Sequence, residues 1–295
     1  MIKDFLCKHG TYYDDKCFKE LTTLKMGGKI RHLIYPDNID DLKEIIDFLR
    51  RYSIPYKMLG NGSNLICGES TFEGVVISLK KLNAFEIKDT EVYSESGVMG
   101  PYLANVLAKE GLSGFEFAGS IPGNIGGLVY MNAGAYKKEM SDVLKEVLVY
   151  RRGELVWLTK DELNFSYRHS IFQEHPHWVI IACKMELEKG NPEDIFDLMN
   201  DRLSRRQASQ PLDKASAGSC FRNPEGKYAW QYIDEIGYRG FKRGDVEVSP
   251  KHSNFIVNNG NGTADDYLNI VYDIKRIVKD KFDVDLIMEV EKFNC

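Results

Sequence analysis

Two glycine-rich stretches about sixty residues apart, Leu59-Gly60-Asn61-Gly62-Ser63-Asn64-Leu65 and Ser120-Ile121-Pro122-Gly123-Asn124-Ile125-Gly126-Gly127, carry the clearest chemical signal in this chain. Glycine has no Cβ, so backbone N–H groups can turn inward and cradle an anion without a basic side chain. Two such loops predict one diphosphate gripped from two sides, as a dinucleotide cofactor would need. Neither loop has the lysine of the Gly-x4-Gly-Lys-Ser/Thr pattern, and neither fits the Gly-x-Gly-x-x-Gly fingerprint that opens a helix. Nucleotide hydrolysis and a Rossmann site are both disfavoured on that ground. Either stretch alone would also suit an ordinary turn.

Three other groups of residues could do chemistry. In Phe165-Ser166-Tyr167-Arg168-His169-Ser170, Arg168 could grip a carboxylate or enolate through two parallel hydrogen bonds, although a solvated, ion-paired arginine has the same surroundings. In Ala217-Gly218-Ser219-Cys220-Phe221-Arg222-Asn223-Pro224, Ser219 has no histidine at a triad-like spacing. It is therefore a poor nucleophile, but its hydroxyl could protonate a strongly basic carbanion or enolate; the bland alternative is a Ser/Asn turn. Glu289 lies in Val284-Asp285-Leu286-Ile287-Met288-Glu289-Val290, whose period of two predicts a strand. Val284, Leu286, Met288 and Val290 then share one face and Glu289 the other, where a solvated edge carboxylate is the alternative. His252 reads as a loop histidine, and no partner histidines suggest a metal.

The elements that must position these groups alternate between short apolar runs and helical stripes. Helices are predicted over 40–51, 101–110, 192–207, 228–236 and 264–281. Strands are predicted over 56–59, 75–79, 143–150, 178–187, 254–257 and 284–290. This is an α+β or α/β pattern with the first glycine loop at a strand end. Gly, Asn and Pro gather in Glu188-Lys189-Gly190-Asn191-Pro192, which places a domain boundary near 188. With 295 residues, 43% of them hydrophobic, the chain can bury a core without staples. The six cysteines form no C-x-x-C pair or regular spacing, so reduced thiols in a cytoplasmic protein are expected rather than zinc or disulfides. No run approaches the length of a membrane span, and a net charge of −5 argues against a nucleic-acid partner.

Taken together, eight segments in register resemble the UDP-N-acetylenolpyruvoylglucosamine reductase family, from about Thr22 to Val290. They are Thr23-Leu24-Lys25-Met26-Gly27-Gly28, residues 59–65, residues 121–127, Met131-Asn132-Ala133-Gly134-Ala135-Tyr136, Tyr167-Arg168-His169-Ser170, Gln210-Pro211, residues 218–224, and Lys251-His252-Ser253-Asn254-Phe255-Ile256-Val257-Asn258. The resemblance implies an FAD-binding region of the vanillyl-alcohol-oxidase type over 1–187, split in two near 85, followed by a smaller α+β substrate-binding domain over 188–295. It implies that Gly60, Asn61, Gly62, Ser63, Asn64, Leu65, Ser120, Ile121, Pro122, Gly123, Gly126, Gly127, Asn132 and Gly134 hold FAD.

The activity so implied is reduction of the flavin by NADPH, followed by hydride transfer from N5 to C3 of UDP-N-acetylglucosamine enolpyruvate. Arg168 and Glu289 would polarise the enolpyruvyl carboxylate region and Ser219 would protonate C2. Tyr167, Arg205, Arg206 and Asn223 would bind substrate groups. The little sequence between 164 and 210 matches a shorter subclass without an extra tyrosine-bearing loop. Asp245 and Val246 depart from the small residues common there, and Arg222 replaces a frequent lysine, leaving NADPH against NADH open. Two alternatives remain: a sugar or lactone oxidase of the same fold, and a non-catalytic UDP-sugar-binding protein. Neither glycine loop has a histidine that could attach flavin covalently, so the FAD is expected to be non-covalent.

Overall fold

A computed structural model describes residues 2–295. By packing, the chain divides into two units: Met1–Asp14, His32–Asn61 and Gly74–Ser204 form the first, and Asp15–Arg31, Gly62–Glu73 and Arg205–Cys295 the second. Each unit is built from several pieces of chain, and the last change of unit falls within the helix Pro192–Ser209. The assignment of 1–187 to cofactor and 188–295 to substrate concerns what each part binds, and it belongs with the proposals below.

In the first unit the helix Ile39–Arg51 shows why its sequence folds as it does. Asn38 caps it, its side chain accepting the Asp41 N–H at 2.9 Å. Acids occupy the first turn and arginines the last, as the helix dipole favours. Leu42, Ile45, Ile46 and Leu49 form the buried stripe and pack with Ile34, Val75 and Ile77. Those partners lie on a four-stranded sheet ordered Gly10–Cys17, Lys29–Pro36, Phe72–Ser78, Tyr56–Leu59, in which the last two strands run parallel.

A five-stranded antiparallel sheet follows in the same unit, ordered Glu154–Thr159, Leu144–Arg151, Val179–Glu186, Glu91–Glu95, Phe85–Lys88. Its apolar face is shared with the helices Gly100–Lys109 and Ile125–Tyr130 through Val92, Leu103, Leu107, Ile125 and Val129. The two outer strands Glu154–Thr159 and Phe85–Lys88 and the hairpin Gly134–Ala135/Lys138–Glu139 are too short or too polar to be read from periodicity.

The second unit has a sheet ordered Ala215–Ser219, Phe255–Asn258, Val246–Val248, Lys242–Arg243, with the helices Ala229–Glu235 and Ala264–Phe282. Leu24 and Met26 join its core. Most predicted elements lie within a few residues of those observed, and the α+β class holds. The final strand does not. Among the described residues, 284–290 make one bridge, the isolated pair Phe221–Met288, and the strand is Glu291–Phe293, parallel to Leu65–Cys67. The buried alternation survives in Leu286 and Val290. Its partner segment runs into Pro224, which has no N–H to continue a ladder.

Candidate active site

The start of the first glycine loop, Gly60 and Asn61, meets the second loop inside the first unit. Asn61 Nδ2 donates to the Pro122 carbonyl at 2.9 Å, and a Cβ on Gly60 would lie 3.5 Å from Asn124 Oδ1. Asn124 is buried, its Nδ2 donating to the Gly97 carbonyl at 2.6 Å. That bond fixes the amide orientation and leaves Oδ1 buried with no partner among the described residues. A Cβ on Gly127 would meet nothing within 4 Å, whereas one on Gly126 would strike Ser96. Gly60 and Gly127 thus present bare backbone to space, while Gly126 is there for close packing. Gly126 N–H is already spent on the Ser96 carbonyl at 3.0 Å and Gly123 N–H on Ile121 at 2.8 Å. A bare-backbone seam one hydrogen-bond donor short fits a hydroxyl-rich diphosphate ligand.

Asn132 is completely buried, with a left-handed φ of +41°. Its Nδ2 donates to Glu139 Oε1 at 2.8 Å and to the Ser166 carbonyl at 3.0 Å, while its Oδ1 accepts the Ser141 N–H at 2.9 Å. The side chain is therefore spent on structure, so any cofactor contact would come from its backbone. What it supports is the Arg168 turn. Ser166 and His169 exchange backbone hydrogen bonds around Tyr167 and Arg168, and Arg168 itself has φ +57°. Its guanidinium donates to the Gly134 carbonyl at 2.8 Å and lies 5.2 Å from the Tyr167 ring centre. Gln173 Nε2 donates to the Arg168 carbonyl at 3.0 Å. A non-glycine residue held left-handed in a turn so braced marks a position worth its strain. Gly134 has to be glycine, since a Cβ there would sit 2.3 Å from the Lys138 carbonyl.

In the second unit, Ser219 ends the strand Ala215–Ser219, opposite Phe255. The ladder shifts register between Ser216 and Ser219, at Gly218 with φ +81°. Cys220 then turns away, giving its N–H to the Asn254 carbonyl at 2.7 Å and receiving the Glu289 N–H on its own carbonyl at 2.8 Å. Ser219 and Glu289, seventy residues apart in sequence, are thereby separated by one residue and one hydrogen bond. Asn64 Nδ2 holds the Glu289 carbonyl at 3.1 Å, and Asn64's own carbonyl accepts the Glu291 N–H at 3.0 Å. Gly62, from the same loop, is tied to Thr23, whose N–H donates to its carbonyl at 3.1 Å. Ser63 and Leu65 flank Asn64, Leu65 opening the parallel pair with Glu291.

Among the remaining expected site residues, Asn223 uses its Oδ1 to accept the Ala229 N–H at 3.1 Å, at the start of the helix Ala229–Glu235. Arg206 Nε donates to Gln210 Oε1 at 3.0 Å, and Arg205 is exposed on the same helix. Ser120 closes the short 3-10 turn Glu116–Ser120 that leads into the second loop. Desolvation, with Arg239 assisting, lowers the His252 pKa, so this loop histidine is biased towards its neutral form. Two residues that composition alone does not single out are Gln173, whose amide donates to the Tyr130 and Arg168 carbonyls, and Asn254, whose amide meets the Phe221 backbone.

Residues 30–159 match an FAD binding domain, and residues 210–293 match the C-terminal domain of UDP-N-acetylenolpyruvoylglucosamine reductase. The reductase of that name from Caldanaerobacter subterraneus is 41% identical over 291 residues, covering 98% of this chain and 96% of that protein. The chain belongs to the UDP-N-acetylenolpyruvoylglucosamine reductase family. The Anoxybacillus flavithermus reductase is 40% identical over 284 residues, with 96% and 94% covered. The crystal structure of the reductase from Thermus caldophilus superposes with a TM-score of 0.81 at 33% identity, covering 96% of this chain and 98% of that one. As a member of this reductase family the chain is an FAD-dependent oxidoreductase, and its FAD binding domain contains both glycine loops. Among the described residues, no helix is long and apolar enough to cross a membrane.

Proposed function

We propose that this chain catalyses the NADPH-dependent reduction of UDP-N-acetylglucosamine enolpyruvate to UDP-N-acetylmuramate, a step of peptidoglycan precursor synthesis in the cytoplasm. The observation that carries this reading is the backbone bridge from Glu289 to Cys220, the residue after Ser219, because it draws the segments carrying a candidate proton donor and a candidate carboxyl group together, a pairing that addition across an enol ether uses and mere binding does not need. FAD, when bound, would supply the hydride chemistry between NADPH and the enolpyruvyl group.

The chain's own residues do the rest. Gly60, Asn61, Ser120, Ile121, Pro122, Gly123, Gly126 and Gly127 line the joined loops that hold the diphosphate without covalent attachment, with Asn132 and Gly134 acting through backbone. Gly62, Ser63, Asn64 and Leu65 continue the first loop. Arg168, on its braced turn, takes the substrate carboxylate, where negative charge grows as hydride arrives. Glu289 acts at the same end of the substrate, and the Ser219 hydroxyl delivers its proton to C2. Tyr167, Arg205, Arg206 and Asn223 are assigned to substrate groups, Asn223 through the amide face not used on Ala229. On this reading residues 1–187 serve the cofactor and 188–295 the substrate.

A positioned proton donor contributes about 10²- to 10⁴-fold, roughly 3 to 5 kcal/mol of barrier. Ser219→Ala is therefore expected to leave bleaching of the flavin by NADPH intact, while colour return on adding the enolpyruvyl substrate anaerobically slows by at least about a hundredfold. Equal slowing of both steps would rule out the proton-donor role.

A further inference from the structure

Residues 251–258 take no part in the chemistry assigned above, yet one of them is wired into its centre. We infer that Asn254 is a positioning residue that sets the register of Ser219 against Glu289, an inference that rests on the proposed roles of those two residues.

After the register shift at Gly218 the ladder resumes only for Ser219, opposite Phe255, and the strand ends there, so regular sheet pairing no longer holds the chain that follows. Phe221 faces Met288 on one side, with Arg222 N–H donating to the Ile287 carbonyl at 2.9 Å and Glu289 N–H to Cys220. In an antiparallel bridge of this kind the N–H and C=O of Phe221 itself point the other way. Asn254 meets both. Its Oδ1 accepts the Phe221 N–H at 2.9 Å, its Nδ2 donates to the Phe221 carbonyl at 2.8 Å, and its own main-chain carbonyl takes the Cys220 N–H at 2.7 Å.

Asn254 is 3% exposed, so these bonds face no competition from water. A primary amide is the smallest neutral side chain that offers donor and acceptor together to one residue's backbone; a carboxylate cannot donate, and a hydroxyl is too short to span both. The side chain thus imitates a neighbouring strand for a single residue. Through the Phe221 N–H it fixes the Cys220–Phe221 peptide plane, whose own carbonyl accepts the Glu289 N–H, with Ser219 the residue just before. On the far side Asn64 holds the Glu289 carbonyl, so the pair is registered from both ends.

The test uses holoenzyme carrying Asn254→Asp, Ser219→Ala or both. Flavin bleaching by NADPH and colour return with UDP-N-acetylglucosamine enolpyruvate are read separately, and FAD affinity is measured by fluorescence titration. Asp keeps the acceptor but turns a carboxylate oxygen on the Phe221 carbonyl. Misplacement of a reacting group by about 1 Å costs on the order of a hundredfold. Colour return in Asn254→Asp is therefore expected to slow about 10- to 100-fold, with bleaching and FAD affinity within about twofold of the parent and no further slowing in the Ser219→Ala background. The inference is overturned if both steps slow together, or if Asn254→Asp slows the Ser219→Ala enzyme as much as it slows the parent. Full-rate colour return in Ser219→Ala alone would instead remove the Ser219 role on which the inference rests. Should Asn254→Asp not retain FAD, Asn254→Ser, which can keep one of the two side-chain bonds, is read against the same outcomes.

Discussion

Cys220 sits between Ser219 and Phe221 with its side chain fully buried, and burial pushes its thiol up to about 12. Only the thiolate is a nucleophile, so at neutral pH this residue is inert despite its place beside the proposed proton donor. Cys183, also fully buried, is pushed up to about 12 for the same reason, whereas Cys7 is exposed. Native protein treated with iodoacetamide at neutral pH is therefore expected to be alkylated at Cys7 first, with Cys220 and Cys183 labelled only after urea unfolding, as peptide mass spectrometry would show. Rapid native labelling of Cys220 would mean that the bridge from Cys220 to Glu289 opens readily, which would count against a rigid Ser219. The same scale explains why Arg168 and Ser219 were legible in sequence as reactive types while Asn254 was not. Asn254 acts on another residue's peptide group, and peptide groups have no signature in a sequence.

At the scale of elements, helices with an apolar stripe were the most legible features, because a stripe is local. The stripe Leu42, Ile45, Ile46, Leu49 and the cap Asn38 belong to one stretch of chain, and the helix Ile39–Arg51 follows. Asn38→Ala removes the bond to the Asp41 N–H and is expected to cost about 1 kcal/mol. Urea unfolding should show the loss as a lower midpoint at unchanged slope; an unchanged midpoint would mean that water replaces the cap at no cost. Residues 284–290 show the limit of this reading. Their alternation correctly gave Leu286 and Val290 a buried face, yet a strand needs a partner of matching length, and the partner stops at Pro224.

At the scale of the whole molecule, binding of FAD to its domain is expected to contribute to stability. A ligand at a hundred times its Kd, bound only by the folded state, stabilises by about 2.7 kcal/mol. Stripping FAD is expected to lower the thermal midpoint, and FAD restored to that level should recover it. FMN at equal concentration lacks the diphosphate that the Asn61–Pro122 seam is proposed to hold, and it should recover much less. Equal protection by FMN, read by differential scanning fluorimetry, would remove the diphosphate from the loops.

The sequence by itself determined the family, the α+β class, the positions of most helices and the two glycine loops, since each depends on residue type and short-range spacing. It also named Arg168, Ser219 and Glu289 as candidates. Only the tertiary structure decided that Asn61 closes one glycine loop on the other, that Asn132 serves the Arg168 turn, and that Ser219 and Glu289 share a bridge registered by Asn254 and Asn64. These are hydrogen bonds to backbone between segments distant in the chain. Any residue has an N–H or a carbonyl to offer, proline's missing N–H apart, so nothing in the order of side chains says which will meet until the cores on either side have packed.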